Sequence, residues 1–153
     1  MKKYIGTKII EAVPAIRKGG KVYEEGWPIP KSMDTTEDGY KVRYPDGYES
    51  WSPKDVFEEA YRPTDCMNFG LAIEAMKKGK KVARRGWNGK GMFLFLGMDI
   101  ELHTEADLSC VSNLEGDLTL PSIVMKTADD RFCVGWLASQ TDMLSDDWEI
   151  VEA

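Results

Sequence analysis

The chain has 153 residues, 42% of them hydrophobic, which is enough to bury an ordinary core in one domain or in two small ones. Its formal net charge of -6 argues against binding of polymeric nucleic acid, because such proteins usually carry a basic face that neutralises phosphates. The three cysteines are widely spaced and include no Cys-x-x-Cys pair, so they indicate neither a disulfide framework nor a zinc site.

Targeting signals are not evident in the sequence. The opening Met1–Gly6 lacks the apolar run of a signal peptide, and the longest apolar run, Met92–Leu96, is far too short to cross a bilayer. We therefore expect an intracellular protein in a reducing cytoplasm, with no membrane partner.

Residues 1–62 predict a small β-rich accessory module that ends in a short helix. An opening strand is expected over Tyr4–Ala12, and a β-hairpin over Tyr40–Trp51, because turn residues at Pro45–Gly47 separate two alternating runs. Ser52 is expected to cap the helix, which has Pro53 at its first position and runs through about Tyr61. Its spacing predicts three inward side chains: Val56, Phe57 and Ala60.

The proline and polar residues of Arg62–Met67 interrupt the helical pattern and mark a boundary, so residues 67–153 are expected to form a second module. Phe69, Ile73 and Met76 fall on one face of a helix that ends at Gly79. The later elements are five strands, a long loop over 97–120, and a helical turn capped by Ser139 or Thr141. The strands are expected over Lys80–Arg84, Met92–Leu96, Ile123–Thr127 with Arg131–Trp136 as a hairpin, and Trp148–Val151. We predict an α+β fold: a small antiparallel sheet packed with one or two short helices.

The two modules share a short internal sequence repeat. Lys18–Trp27 matches Lys78–Trp87 at six of ten positions in fixed register, which is compatible with shared ancestry or with chance. Glu24 and Glu25 stand where Arg84 and Arg85 stand. A negative pair repels phosphate, so the first module is not expected to bind the same anion.

Two tryptophan motifs in the second module suit a nucleotide-like ligand. Each joins a ring that can stack on a base to small, amide, hydroxyl and charged residues that can hydrogen-bond a polar rim. An isolated tryptophan is more often core, and Asp142 has a competing role at a helix terminus. The ligand-binding candidates are Trp87, Asn88, Gly89, Lys90, Met92, Lys126, Trp136, Ala138, Ser139, Gln140, Thr141 and Asp142. The nearby Met143, Leu144 and Trp148 are expected to be core.

A basic strip leads into the first of these motifs. Residues 77–90 contain seven Lys or Arg and no acid. The strip is either a solvated charged surface or a local anion site, and within it Arg84 and Arg85 are candidates for a second phosphate site.

Catalytic and metal-binding groups are scarce. His103 is the only histidine, and it falls in the long loop, where an exposed position is a simpler reading than a general base. The glycines of Gly86–Gly91 do not have the spacing of a Walker loop or a dinucleotide fingerprint. We expect a binding protein without enzymatic activity, catalytic residues, metal or cofactor.

The second module resembles the phage Thoeris anti-defence two family. The resemblance is carried by Met67–Gly70, Val82–Phe93, Met125–Asp129 and Gly135–Trp148. It implies a small α+β subunit, a homotetramer with ligand sites at subunit interfaces, and capture without cleavage of a cyclic ADP-ribose-type signal made by TIR enzymes. Such a protein acts in the host cell cytoplasm on a small cyclic nucleotide. The alternatives are a broader sponge that also binds cyclic dinucleotides, a hydrolase of such signals, and a phage adaptor whose first module contacts partners.

Overall fold

The structure, a computed structural model, describes Lys2 and residues 7–87, 91–97 and 120–151. The chain divides into two compact units, Met1–Arg62 and Pro63–Ala153. Each unit has an antiparallel sheet and at least one short helix, so the fold is α+β, as the sequence predicts. Within these described ranges, no helix is long and apolar enough to span a membrane.

The first unit contains a four-stranded sheet in the order β2-β1-β3-β4. Its strands are β1 (Glu11–Lys18), β2 (Lys21–Glu24), β3 (Thr36–Arg43) and β4 (Glu49–Pro53). The β3–β4 pairing confirms the predicted hairpin. The predicted opening strand over Tyr4–Ala12 is placed too early, because residues 7–10 are not in a strand and β1 begins at Glu11; residues 4–6 lie outside the described residues. Pro14 lies within β1, although proline normally argues against a strand.

A seven-residue helix, α1 (Lys54–Ala60), follows β4 directly. The predicted cap is wrong, because Ser52 lies in β4 opposite Tyr40, and Pro53 occupies the N-cap position without a side-chain cap. The short helix turns one aromatic side chain to the sheet, where Phe57 stacks on Tyr40 at 4.2 Å between ring centroids. The other two predicted inward residues, Val56 and Ala60, are exposed.

The second unit contains a five-stranded sheet in the order β8-β7-β6-β5-β9. The predicted helix is confirmed as α2 (Phe69–Lys77), whose N-cap Asn68 accepts a hydrogen bond from the Leu71 amide. The remaining elements confirm the other predicted strands and the helical turn: β5 (Lys81–Arg84), β6 (Phe93–Gly97), β7 (Ser122–Lys126), β8 (Phe132–Val134), α3 (Gln140–Met143) and β9 (Trp148–Val151).

Helix α2 packs on one face of this sheet and forms the core of the second unit. Trp148, Leu94 and Val82 are fully buried there, together with Ala72, Ala75 and Met76 of the helix. The prediction of a core position is therefore right for Trp148. It is wrong for Met143 and Leu144, which are exposed because α3 is a single turn and the Trp148 ring already fills the space against the sheet.

Several predictions fall outside the described residues. They concern Asn88, Gly89 and Lys90 of the first tryptophan motif, most of the loop over 97–120, and His103 within it.

Candidate functional site

The two tryptophan motifs reach the α2 side of the second sheet from different strands, β5 and β7. Arg84, the last residue of β5, lies opposite Trp148 of β9. The chain then turns, and the Trp87 amide donates to the Arg84 carbonyl at 3.2 Å. After β8 the chain turns back on β7, where the Trp136 amide donates to the Ile123 carbonyl at 2.9 Å. These hydrogen bonds fix the backbone of both candidate tryptophans.

Four aromatic rings meet on this side of the sheet and form what we call the aromatic cluster: Phe69, Trp87, Trp136 and Trp148. Trp87 and Trp136 pack edge to face with 6.1 Å between ring centroids, and Trp87 lies 5.5 Å from the buried Trp148. Edge-to-face packing at these distances is favourable for aromatic pairs. Both candidate tryptophans remain partly exposed, so they support the core and also form part of the surface.

Asp142, in the single turn of α3, connects the aromatic cluster to the helix cap. Its side chain accepts hydrogen bonds from the Ser139 amide at 3.0 Å and the Ser139 hydroxyl at 2.6 Å, which completes a capping box. The same carboxylate accepts from the Trp87 indole at 3.4 Å, and the Asp142 backbone carbonyl accepts from the Trp148 indole at 2.9 Å. The alternative of a helix-terminus role for Asp142 is therefore confirmed.

Arg84 lies between two carboxylates of the second unit. Its Nη1 donates to Asp142 at 2.8 Å and its Nε to Asp147 at 2.8 Å, with only 14% of its side chain exposed. The Asp147 carboxylate also accepts from the Gly86 amide at 3.0 Å. A Cβ at Gly86 would lie 2.9 Å from that carboxylate, so this close approach requires glycine.

These contacts set the ionisation of the site. Burial alone would raise the pKa of Asp142, but hydrogen bonds from Ser139 and Arg84 outweigh it and lower the pKa to about 2. The hydrogen bond from Arg84 also lowers the pKa of Asp147, and the two carboxylates raise the pKa of Arg84. Arg84 is therefore a fixed cation whose charge is matched by two fixed anions.

The two arginines of the proposed second phosphate site have different surroundings. Arg85 is largely exposed, donates to the Asp65 carbonyl and lies 3.9 Å from a Glu149 carboxylate oxygen. Arg84 is held on the side of the sheet that faces the aromatic cluster. In β9, Glu149 follows Trp148 and therefore faces the opposite side of the sheet from Arg84. Arg85, in the turn after β5, contacts Glu149, so the two arginines do not form a two-guanidinium clamp within one chain.

Lys126 lies on the other face of the sheet from the aromatic cluster. Its neighbour Met125 packs on the core, opposite Leu94, whereas Lys126 pairs with Phe93 and its ammonium lies 5.9 Å from that ring centroid. The ammonium donates to the Gly91 carbonyl at 3.2 Å and pairs with Asp130 at 2.5 Å. A single chain therefore does not bring Lys126 to the rings of Trp87 and Trp136.

The remaining described candidates follow or flank the cluster. Ser139 uses its hydroxyl in the capping box, whereas Gln140 and Thr141 start α3 with exposed side chains. Ala138 and Met92 are partly exposed, in the segment before α3 and just before β6. Gln140 and Thr141 therefore carry an exposed amide and an exposed hydroxyl directly before Asp142, which contacts Trp87.

Two contributors were missed from the sequence. Phe69 packs on Trp136 and Trp148, at 6.5 and 5.3 Å between ring centroids, and Asp147 is the second carboxylate on Arg84. The signal for Asp147 is its position immediately before Trp148, the residue that pairs with Arg84, but the strand register is needed to recognise it.

The internal repeat, Lys18–Trp27 and Lys78–Trp87, corresponds to a shared local structure. In each unit a Lys-Val strand, β2 or β5, ends in a turn in which a tryptophan amide donates three residues back: Trp27 to Glu24 at 3.0 Å and Trp87 to Arg84 at 3.2 Å. The settings differ, because β2 is an edge strand and β5 lies between β6 and β9. The likeness in structure is therefore local.

Known proteins match the second unit. Residues 67–151 match the sequence profile of a family described as "Tad2-like: Thoeris anti-defense 2-like domain". The chain is also 41% identical over 85 residues to a Bacillus phage SP01 protein named "Thoeris anti-defense 2"; the alignment covers 56% of this chain and 94% of that protein.

The second unit is thus a small α+β domain in which an aromatic cluster, an arginine and two aspartates form one connected network. No cluster of three or more His, Cys, Asp or Glu suited to a metal occurs in the part of the chain that the structure describes. The family match covers more than half of the chain, and the chain belongs to the Thoeris anti-defense 2-like family. Membership supports a phage anti-Thoeris function, and the family name suggests a non-catalytic protein.

Replacing Asp142 should weaken the second unit. Asp142→Asn removes the charge that faces Arg84 and one acceptor of the capping box, so we expect the free energy of unfolding to fall by about 2 kcal/mol. Denaturant unfolding followed by tryptophan fluorescence measures this. Asp146→Asn, a change of the same chemistry at an exposed position, should have an effect below about 0.5 kcal/mol. Equal effects of the two variants would contradict the structural role of Asp142.

The same carboxylate should make stability depend on acid pH. The folded pKa of Asp142 is about 2 against an ordinary value of 3.8, so its contribution is complete above about pH 4 and is lost as the pH falls toward 2. That contribution is about 2 kcal/mol. Unfolding curves at pH 5 and pH 2.5 should therefore show a difference between wild type and Asp142→Asn that shrinks at the lower pH. A difference that stays constant would show that Asp142 is not the titrating group.

Proposed function

We propose that the protein binds and sequesters a cyclic ADP-ribose-type nucleotide second messenger made by TIR enzymes, without cleaving it, in the host cell cytoplasm. Capture of the signal would keep it from the host effector and so block Thoeris immunity. The observation that carries the proposal is the convergence of Trp87 and Trp136, 6.1 Å apart, in a domain of the Thoeris anti-defense 2-like family.

The chemistry of the cluster fits a nucleotide. A partly exposed indole offers a face for stacking on a base, and the exposed amide and hydroxyl of Gln140 and Thr141 can hydrogen-bond ribose or phosphate oxygens. The Asp142 carboxylate already has donors from Ser139, Arg84 and Trp87, so its role is to hold the rings and the α3 turn in position. A preformed site lowers the cost of binding.

Sequestration sets a demanding affinity. A sponge must hold its ligand below the concentration that activates the effector, for which a nanomolar dissociation constant, about -12 kcal/mol, is the expected scale. Two rings and a few hydroxyl groups on one open surface fall short of the enclosure that such affinity needs. Further groups must close over the ligand.

A second copy of the chain is our proposed source of those groups. Lys126 lies on the opposite face of the sheet from the aromatic cluster, so the two can meet on one nucleotide only if different subunits supply them. The edge strand β8 exposes two large apolar side chains, Phe132 at 62% and Val134 at 50%, as expected of a surface that pairs with another subunit. We infer a homotetramer with ligand sites between subunits.

The broader sponge that also binds cyclic dinucleotides finds less support in the geometry. Such binding would use Arg84 and Arg85 as a phosphate clamp, but the charge of Arg84 is already neutralised by Asp142 and Asp147. Binding there would require Arg84 to exchange a carboxylate for a phosphate. Calorimetry with cyclic dinucleotides tests it, and the absence of heat would remove this alternative.

Capture can be measured directly. Purified protein is incubated with a TIR-derived cyclic ADP-ribose isomer, freed of unbound nucleotide and heated, and the released material is analysed by mass spectrometry. We expect intact nucleotide, and at least about tenfold less from Trp136→Ala because a stacking face is lost. Thr141→Ala, at an exposed position, should also lower the yield without affecting folding.

The matched control is Trp27→Ala, which removes a tryptophan from the first unit and should leave capture unchanged. Recovery of only hydrolysed nucleotide would overturn sequestration. Full capture by both Trp136→Ala and Thr141→Ala would overturn the assignment of the site.

Assembly is tested separately from capture. Phe132→Glu places a charge on the proposed apolar contact, so light scattering after size-exclusion chromatography should show a mass below that of the wild-type tetramer. Tyr48→Glu, a substitution of a similarly exposed aromatic residue in the first unit, should keep the wild-type mass. A wild-type protein that is monomeric at micromolar concentration would contradict the interface proposal.

A further inference from the structure

The first unit contains a cavity of about 370 Å³ that nucleotide capture does not use. It lies along β1 and β3, beside the turn that follows β2 and the first residue of α1. Its volume is at the lower end of the range for ligand pockets, so it can hold a few side chains and not a folded domain. The apolar part of its lining includes Pro14, Ile16, Trp27, Ile29 and Tyr40.

Pro14 explains why the cavity opens at this point. The β1–β2 register pairs Ala15 with Glu24, which places Glu25 opposite Pro14. The Glu25 amide donates to the Pro14 carbonyl at 3.1 Å, but proline has no N–H to complete the pair. The ladder therefore stops, and the chain leaves the sheet through Gly26, whose φ is 86°.

The turn holds Trp27 at the rim of the cavity. Its amide donates to the Glu24 carbonyl at 3.0 Å, so the backbone position is fixed while 60% of the residue stays exposed. Ile29 is 38% exposed nearby. Isolated exposed apolar residues are common, but a tryptophan and an isoleucine that line one cavity form an anchor site for a partner.

The opposite wall is rigid. The Tyr40 ring stacks on Phe57 at 4.2 Å, and its hydroxyl donates to Glu58 at 2.9 Å. A wall already fixed by the fold loses little conformational entropy when a partner binds.

The polar part of the lining is acidic. Glu25 and Asp38 contribute two acidic side chains to the lining, against the single basic side chain of Lys54. Glu24 also borders the cavity, but its carboxylate pairs with Lys41 at 3.0 Å on the other face of the sheet. Carboxylates beside an indole face favour a cation, which gains both charge pairing and a cation–π contact. The complementary ligand therefore carries a positive charge next to an apolar group.

The position of the cavity favours an extended peptide over a small cation. The cavity adjoins β2, an edge strand that has no second neighbour among the described strands. An extended segment can hydrogen-bond along such an edge while alternate side chains enter a pocket. We propose that this cavity binds a short extended segment of a partner protein in which a lysine or arginine adjoins an apolar side chain.

The test uses the full-length protein and a random heptapeptide display library. Selected peptides should be enriched in Lys or Arg beside an apolar residue, and a synthetic copy of the most enriched peptide should bind less tightly as salt is raised. Trp27→Ala and Glu25→Lys should each weaken that peptide by about tenfold or more, because they remove the ring face and reverse a lining charge.

Matched controls separate the cavity from general charge and aromatic effects. Tyr48→Ala removes an aromatic residue that is 64% exposed in the same unit, and Glu59→Lys makes the same charge change on α1; both should leave affinity unchanged. Failure to select any peptide, selection without basic enrichment, or equal binding by Trp27→Ala would overturn the proposal. Argininamide binding as tightly as the peptide would assign the cavity to a small cation instead.

Discussion

The carboxylate of Asp142 is the contact on which the second unit's surface depends. It accepts the Ser139 hydroxyl at 2.6 Å, Arg84 at 2.8 Å and the Trp87 indole at 3.4 Å, so one group fixes a helix cap, a strand end and a ring. Such a carboxylate must stay ionised, and its pKa of about 2 ensures this at neutral pH. The network explains how an exposed four-residue turn can position groups for a ligand although it contains no buried residue of its own.

The same network limits what Arg84 can do. An arginine with one free face can clamp a phosphate, but Arg84 donates to both Asp142 and Asp147 and is largely buried. Its positive charge is therefore already balanced before any ligand arrives. An anionic nucleotide would therefore need a cation outside the Arg84–Asp142–Asp147 network. Lys126 is such a cation, but it lies on the other face of the sheet. This separation is why the proposed function requires more than one subunit.

Local patterns predicted most elements of the fold but not their relation in space. The β3–β4 hairpin, α2 and β9 follow from turn residues and periodicity, which act over a few residues. Alternation alone places Lys126 and Met125 on opposite faces of β7. Which face carries the aromatic cluster depends on the strand order β8-β7-β6-β5-β9, and that order is set by pairings between distant segments. The role of Asp147 could not be predicted for the same reason, because it depends on the register between β5 and β9.

The two tryptophan turns show how distant partners change the use of one local structure. Trp27 and Trp87 each follow a Lys-Val strand and donate to the carbonyl three residues back, so short-range sequence is sufficient to build the turn. The Trp87 indole contacts the Asp142 carboxylate and the Trp148 ring. Trp27 instead follows the edge strand β2, whose pairing with β1 ends at Pro14, and 60% of Trp27 stays exposed. The local sequence therefore does not determine whether a tryptophan after such a turn belongs to the core or to a binding site. Its role is decided by whether a distant segment supplies an acceptor for the indole and a ring to pack against.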